Sequence, residues 1–331
     1  MVSWRGTTLR SVAEAAGVST ATVSKVLNNR PDVAPATRAR VQRLLQQQNY
    51  RPLSGRPGGG SVVIDLIFTA LDSPWAIEII RGVAASEVEA VVSAVSDSPD
   101  PQRWHEHLLG SGRSGAVLVT SGLTAEQVTA FADAGVPCVV IDPVDLPGSE
   151  VPSVGATNWA GGMDATRHLL DLGHRRIGVV GGLPHLLCSR ARIDGYRAAL
   201  ETAGLEVDPT LVRHGDFHHQ GGLDRARELL ALPDRPTAIF AGSDVQALGV
   251  VEAARELGLD VPGDLSIVGF DDLPLARWVS PPLTTVRQPL ADMGHTAVAM
   301  LTELMAGRPL RSNRVELSTE LVVRGSTAPP R

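Results

Sequence analysis

The chain has 331 residues, 43% of them hydrophobic, and carries a net charge of −6. That length is too great for one ordinary core and predicts two or three domains, while the apolar content excludes a disordered chain. The hydrophobic residues lie in short runs, none near the eighteen or so that a membrane span needs, so no membrane partner is expected.

The first element is predicted over residues 8–16, where Val12, Ala13 and Ala16 form one apolar helix face. Gly17 ends it, as a residue tolerant of positive φ does. Ser19 is placed to cap a second helix, whose inner side carries Val23, Val26 and Leu27. Two short helices joined at a glycine make the helix-turn-helix pattern. The outer face of the second helix offers Thr20, Ala21, Ser24 and Lys25, groups suited to base edges and phosphates in a major groove. Pro35 fits the first turn of a third helix over 37–48, with Val41, Leu44 and Leu45 inward. Charge supports a polyanion partner here. Residues 1–60 hold nine Lys or Arg against Glu14 and Asp32, a balance of +7, which leaves −13 for the remainder.

PLSGRPGGG, residues 52–60, reads as a flexible or extended linker. From residue 61 the pattern changes to short apolar strands alternating with helices. Strands are predicted over 62–68, 90–95, 116–120, 137–142, 177–181, 238–242 and 265–270. Helices are predicted over 77–89, 159–172, 190–203, 223–230 and 245–257. Such alternation indicates parallel, doubly wound sheets, and this many strands imply two subdomains, crossed by the chain near 153–158 and 284–288. The expected division is a DNA-binding head at 1–51, a linker at 52–60 and an effector-binding and dimerisation unit at 61–331.

Ligands of doubly wound folds bind beyond the carboxyl ends of the strands. The residues standing there are Asp72 and Trp75, Asp142, Asp216 and Phe217, Ser243, and Asp271. Carboxylates and hydroxyls bind sugar hydroxyls, and an aromatic ring packs on the apolar face of a pyranose. An Asp or Ser at such a position can instead cap the next helix. Three histidines crowd HGDFHHQGG, yet no HExxH, Cys/His spacing, GxGxxG after a strand, P-loop or GxSxG elbow accompanies them, so neither a cofactor, a metal nor catalysis is expected. Cys138 and Cys188 are far apart and lack metal-ligand spacing; with no apolar leader in MVSWRGTTLR they fit a reducing cytoplasm.

GVSTATVSKVLN and NYRP closely resemble the N-terminal segment of the LacI/GalR family of transcriptional regulators. SRARIDGY, AGSDVQALG, GATNWAGG and VGFDDLPLARWVSPPLTTVRQPL resemble that family's effector-domain motifs. The resemblance implies a periplasmic-binding-protein-like core with a cleft, and a homodimer on a double-stranded DNA operator. Thr20, Ala21 and Lys25, with Thr22 beside them, would set sequence preference, and Thr8, Ser19 and Asn28 would position the backbone. By position, Arg192, Asp271 and Gln288 match the family's effector contacts. Phe217 stands where an aromatic stacker is common, and Ser243 replaces a more usual Asn. In the family a hinge-helix Leu enters the minor groove. Here that segment is shorter and glycine-rich, so Leu53 is expected to be a weak wedge at most. The expected function is a repressor controlled by a small sugar bound in the cleft. The alternatives are a corepressor-dependent regulator, a solute-binding protein, or a sugar-acting enzyme on the same core.

Overall fold

The computed structural model describes residues 9–27, 30, 33–47, 62–95, 104–110, 113–120, 122–145 and 151–331. Thr8, Asn28, Leu53 and the expected linker lie outside the described residues.

Three helices open the chain: α1 (Leu9–Ala16), α2 (Thr20–Leu27) and α3 (Pro35–Gln47). Gly17 has φ +63, and the Gly17 and Val18 N–H groups donate back to the Glu14 and Ala13 carbonyls to close the turn. Ser19 Oγ then accepts the Thr22 N–H at 3.2 Å, satisfying one of the free donors at the start of α2. Val12, Ala16, Val23, Val26, Val41 and Leu45 bury against one another and close this small core.

Two six-stranded sheets follow. The first holds β1 (Val63–Phe68), β2 (Glu89–Ala94), β3 (Ala116–Val119), β4 (Cys138–Ile141) and β5 (Ser153–Ala156) in the order β2-β1-β3-β4-β5. The second holds β6 (Ile177–Gly181), β7 (Val212–His214), β8 (Ala238–Ala241), β9 (Ser266–Asp271) and β10 (Thr284–Arg287) in the order β7-β6-β8-β9-β10. One doubly wound unit is therefore built twice. The inner strands β1, β3, β4, β6 and β8 are buried apolar runs because helices cover both faces of each sheet, whereas the edge strands β2 and β7 stay partly exposed. The helices are α4 (Pro74–Ala84), α5 (Trp104–Gly110) and α6 (Ala125–Asp133) in the first lobe, then α7 (Asn158–Asp171), α8 (Leu187–Thr202), α9 (His219–Leu230) and α10 (Asp244–Glu256) in the second. α11 (Leu290–Met305) returns to pack on α4.

Among the described residues the chain passes between lobes three times, not the two expected. The third passage lies between β11 (Arg314–Leu317), which pairs with β5, and β12 (Glu320–Val322), which pairs antiparallel with β10. These strands are four and three residues long and partly exposed, so they leave no apolar run to read. The first and third passages are fastened together: Thr319 N–H donates to Thr157 Oγ1 at 2.9 Å, and Thr157 N–H donates to the Leu317 carbonyl at 2.9 Å. The helix expected at 77–89 instead runs Pro74–Ala84, because Ser73 Oγ accepts the Trp75 N–H and caps it there; Glu89 already belongs to β2.

Three helix pairs cross at glycines. Gly82 and Gly294 meet where α4 crosses α11, Gly162 and Gly195 where α7 crosses α8, and Gly222 and Gly249 where α9 crosses α10. At each of the six a Cβ would come within 2.6 Å of backbone on the facing helix. The approach is closer than any side chain permits, and it fixes the helices against their sheets.

Candidate functional site

The carboxyl ends of both sheets face one cavity of about 600 Å³ between the lobes. Asp72, Trp75, Asp142, Arg192, Phe217, Ser243 and Asp271 all line it. Strand ends gather there because every strand of β1–β10 runs parallel within its sheet. Five non-glycine residues among those described have positive φ, and four of them, Thr120, Asp142, Phe217 and Asp271, line this cavity. Such backbone costs of order 1–3 kcal/mol per residue and gathers at functional sites.

Arg192 is the centre of the arrangement. It projects from α8 and is 4% exposed. Its Nε donates to Asn158 Oδ1 at 2.8 Å, and a terminal N–H donates to the Gly242 carbonyl. The guanidinium lies 3.8 Å from the centre of the Phe270 ring and 5.4 Å from that of Phe217. Asp271 Oδ1 stands 3.9 Å from it. Gln288 does not line the cavity. It stands behind Asp271 and donates to Oδ1 at 2.6 Å, so it orients that carboxyl. Ser243 does cap a helix: its hydroxyl accepts the Gln246 N–H and donates to the Phe217 carbonyl, both at 3.0 Å. The same bond holds the Phe217 backbone, and one lone pair of the hydroxyl remains for a ligand.

Burial pushes the carboxyls of Asp142 and Asp271 upward, Asp271 to about 7. Arg192 opposes the rise in both, and for Asp142 the Cys188 thiol helps by donating to the carboxylate. An unfolded Asp loses its proton near 3.8. Between 3.8 and 7 the folded chain therefore holds the extra proton, and this carboxyl lowers stability as pH rises through that window. The melting temperature of an Asp271→Asn variant is expected to fall less than that of the parent between about pH 5 and pH 8. Parallel thermal scans check this; equal slopes would show that Asp271 ionises as an exposed carboxylate does.

Sequence reasoning missed several groups at the cavity. Trp104 and Cys188 come from helix N-termini, and His185 from the loop before α8, where no strand-end signal exists. Asn158, which holds Arg192, starts α7. The three histidines of the β7–α9 segment diverge: His214 contacts the Gly182 carbonyl, His219 pairs with Glu252, and His218 reaches Asp72 across the cleft at 3.6 Å. Among the described residues no group of three or more His, Cys, Asp or Glu is placed to hold a metal. No helix among them is long and apolar enough to cross a membrane.

In the head, Thr20, Ala21 and Lys25 are exposed on α2, and Thr22 is half-buried. The Thr22 hydroxyl lies 2.9 Å from Ser19 Oγ, so it is engaged in the cap.

Residues 8–53 match the model of bacterial regulatory proteins of the lacI family, and residues 166–327 match a periplasmic binding protein-like domain. The transcriptional repressor CytR of Escherichia coli is 34% identical over 97% of this chain and 96% of its own length. The chain belongs to the LacI family. The ribose operon repressor of Escherichia coli is 34% identical over 96% of the chain and 99% of its own length. Among solved structures, the LacI-family fold recurs in the regulator CelR in complex with cellobiose, with 33% identity, TM-score 0.74, and 96% and 99% of the two chains covered. The lac repressor dimer bound to operator and the anti-inducer ONPF gives 28% identity and TM-score 0.71, covering 98% and 100%. As a LacI-family member the protein is a DNA-binding transcriptional regulator with its helix-turn-helix in α1 and α2.

Proposed function

We propose that this protein is a repressor whose operator affinity is set by a sugar-like effector held between the two lobes, by Asp72, Asp142, Arg192, Ser243 and Asp271, with Trp75 or Phe217 against its apolar face and Gln288 orienting Asp271. The convergence of strand-end polar groups, aromatic rings and one buried Arg on a single interlobe cavity carries this reading. A cellobiose complex among the similar structures and a ribose operon repressor among the relatives support it. A ligand bound better by one arrangement of the lobes shifts them, and with them the spacing of two heads. The relatives are transcriptional regulators, which supports binding without turnover in the cytoplasm. A thermal-shift screen against sugars, followed by an operator gel shift with and without each hit, tests the proposal. Hits that tighten operator binding would replace induction with a corepressor logic. Hydrolysis of candidate glycosides would make the protein an enzyme.

The functional unit is a homodimer on a pseudopalindrome, since one three-helix head makes too few phosphate contacts for tight, specific binding. The lac repressor dimer on its operator supports this, as do Ile77 and Trp278, large apolar side chains 59% and 79% exposed in the single chain. The head is assigned to 1–51, the linker to 52–60 and the effector unit to 61–331. Sedimentation is expected to show a dimer at micromolar concentration; a monomer with full operator affinity would refute it.

Thr20, Ala21 and Lys25 face outward from α2 and set base preference, while Ser19 and Thr22 hold the helix start, Thr8 and Asn28 serve the backbone, and Leu53 contributes a weak wedge. Lys25→Ala is expected to change which bases a selection experiment recovers, by about 1–3 kcal/mol at the position it reads. Equal weakening on every sequence would make Lys25 a phosphate contact.

A further inference from the structure

Charge inside the cleft is unbalanced. Four carboxylates line it, two from each lobe: Asp72 and Asp142 follow β1 and β4, while Asp216 follows β7 and Asp271 closes β9. Among the described lining residues Arg192 is the one Arg or Lys. Its hydrogen bonds go to neutral partners, the Asn158 amide oxygen and the Gly242 carbonyl, and its face is covered by Phe270. The remaining groups able to carry positive charge are His185 and His218. His218 Nε2 is 3.6 Å from Asp72, and its backbone N–H donates to Asp216 Oδ1 at 3.0 Å. Both side-chain contacts on Asp271, from Gln288 and Arg192, fall on Oδ1.

The walls suit a cation as well. Trp75 and Trp104 come from the first lobe and Phe217 from the second, and a desolvated ammonium is drawn to aromatic faces and to carboxylates alike. The raised carboxyls of Asp142 and Asp271 are what buried acids show when too little positive charge accompanies them.

We propose that the effector of this cleft is an aminated sugar, a hexosamine with a free amine, whose ammonium sits among carboxylates of both lobes. The inference rests on the sugar-cleft reading above and deepens it. It also supplies the coupling. Carboxylates on facing lobes repel as the cleft narrows, and a cation between them turns that repulsion into attraction. The ligand then favours the closed arrangement, as any ligand must that shifts an equilibrium. A neutral sugar makes the same hydroxyl contacts without that leverage.

Calorimetry with the gluco, galacto and manno hexosamines, their N-acetyl forms and the parent hexoses tests it on the full-length protein. One hexosamine is expected to bind about tenfold or more tighter than both its neutral counterparts, as a desolvated cation contact allows, and to be the one that changes operator retention. Entry of the ammonium should draw a proton from Asp271, whose carboxyl burial holds up to about 7, so near that pH the observed heat should vary with buffer ionisation enthalpy. Asp72→Asn, at an exposed rim residue, should remove part of the preference for the amine, weakening the hexosamine more than its neutral forms. Asp142→Asn should remove more. A hexose that binds as tightly as its amine overturns this inference and leaves the sugar-cleft reading standing. A panel extended with ribose and cellobiose in which neither amines nor neutral sugars bind overturns both.

Discussion

Replacing Arg192 with alanine is expected to leave operator binding intact and to abolish the response to the effector. The side chain is buried, held by Asn158 and Gly242, and pressed between Phe270 and Phe217, so its donors are pre-organised rather than gathered on binding. Loss of a charge-assisted contact to a ligand costs about 1.5–3 kcal/mol, roughly ten- to a hundredfold in affinity. The variant should also melt earlier. Asn158 Oδ1 and the Gly242 carbonyl lose their donor, and the Asp271 carboxyl loses the cation that opposes its burial. Lysine restores the charge but neither the planar fork nor its stacking, so Arg192→Lys should recover part of the stability and little of the effector affinity. Calorimetry against the screening hit, with operator gel shifts of the same preparations, separates these effects. Unchanged effector affinity in Arg192→Ala would place the effector elsewhere.

The second large effect is expected at Gly162. Its missing Cβ would lie 2.2 Å from the Arg192 carbonyl oxygen and 2.9 Å from the Arg192 Cα. Neither is the yielding end of a side chain, so Gly162→Ala must push α8 away from α7. Overpacking of this kind costs about 1–3 kcal/mol and sometimes more. The displaced residue is Arg192 itself, so effector affinity should fall together with the melting temperature. Gly155→Ala is the control. Nothing lies within 4 Å of its added Cβ, and its effect should stay within about 1 kcal/mol. Thermal unfolding of the two variants side by side decides the matter; an unperturbed Gly162→Ala would mean that the helices cross more loosely than described.

The classes of element and their order were legible in local pattern alone. Each of the seven predicted strands is found within a residue or so of its expected bounds, because inner parallel strands are continuous apolar runs and even the exposed edge strand β2 keeps the apolar Ala90, Val91 and Val92. Strand ends were also legible as a set. Once the sheets are parallel, Asp72, Asp142, Phe217 and Asp271 must come out on the same side. The helix-turn-helix is just as local: Gly17, the Ser19 cap and the Val23–Val26 face act within a few residues of one another.

Pairing between distant segments is visible only in the folded chain. Short β11 and β12 exist because edges of two separate sheets accept them, and Thr319 meets Thr157 across 162 residues. The six glycines at helix crossings look alike in sequence; which ones face each other depends on how α4, α7 and α9 are laid against α11, α8 and α10. Gln288 sits in a family motif, yet its place behind Asp271 follows from the β9–β10 register, in which Arg287 opposes Asp271. The meeting of Asp72 with His218 needs both lobes in place. Local pattern records the period and polarity of a segment, whereas a contact across the cleft is fixed by the packing of everything between.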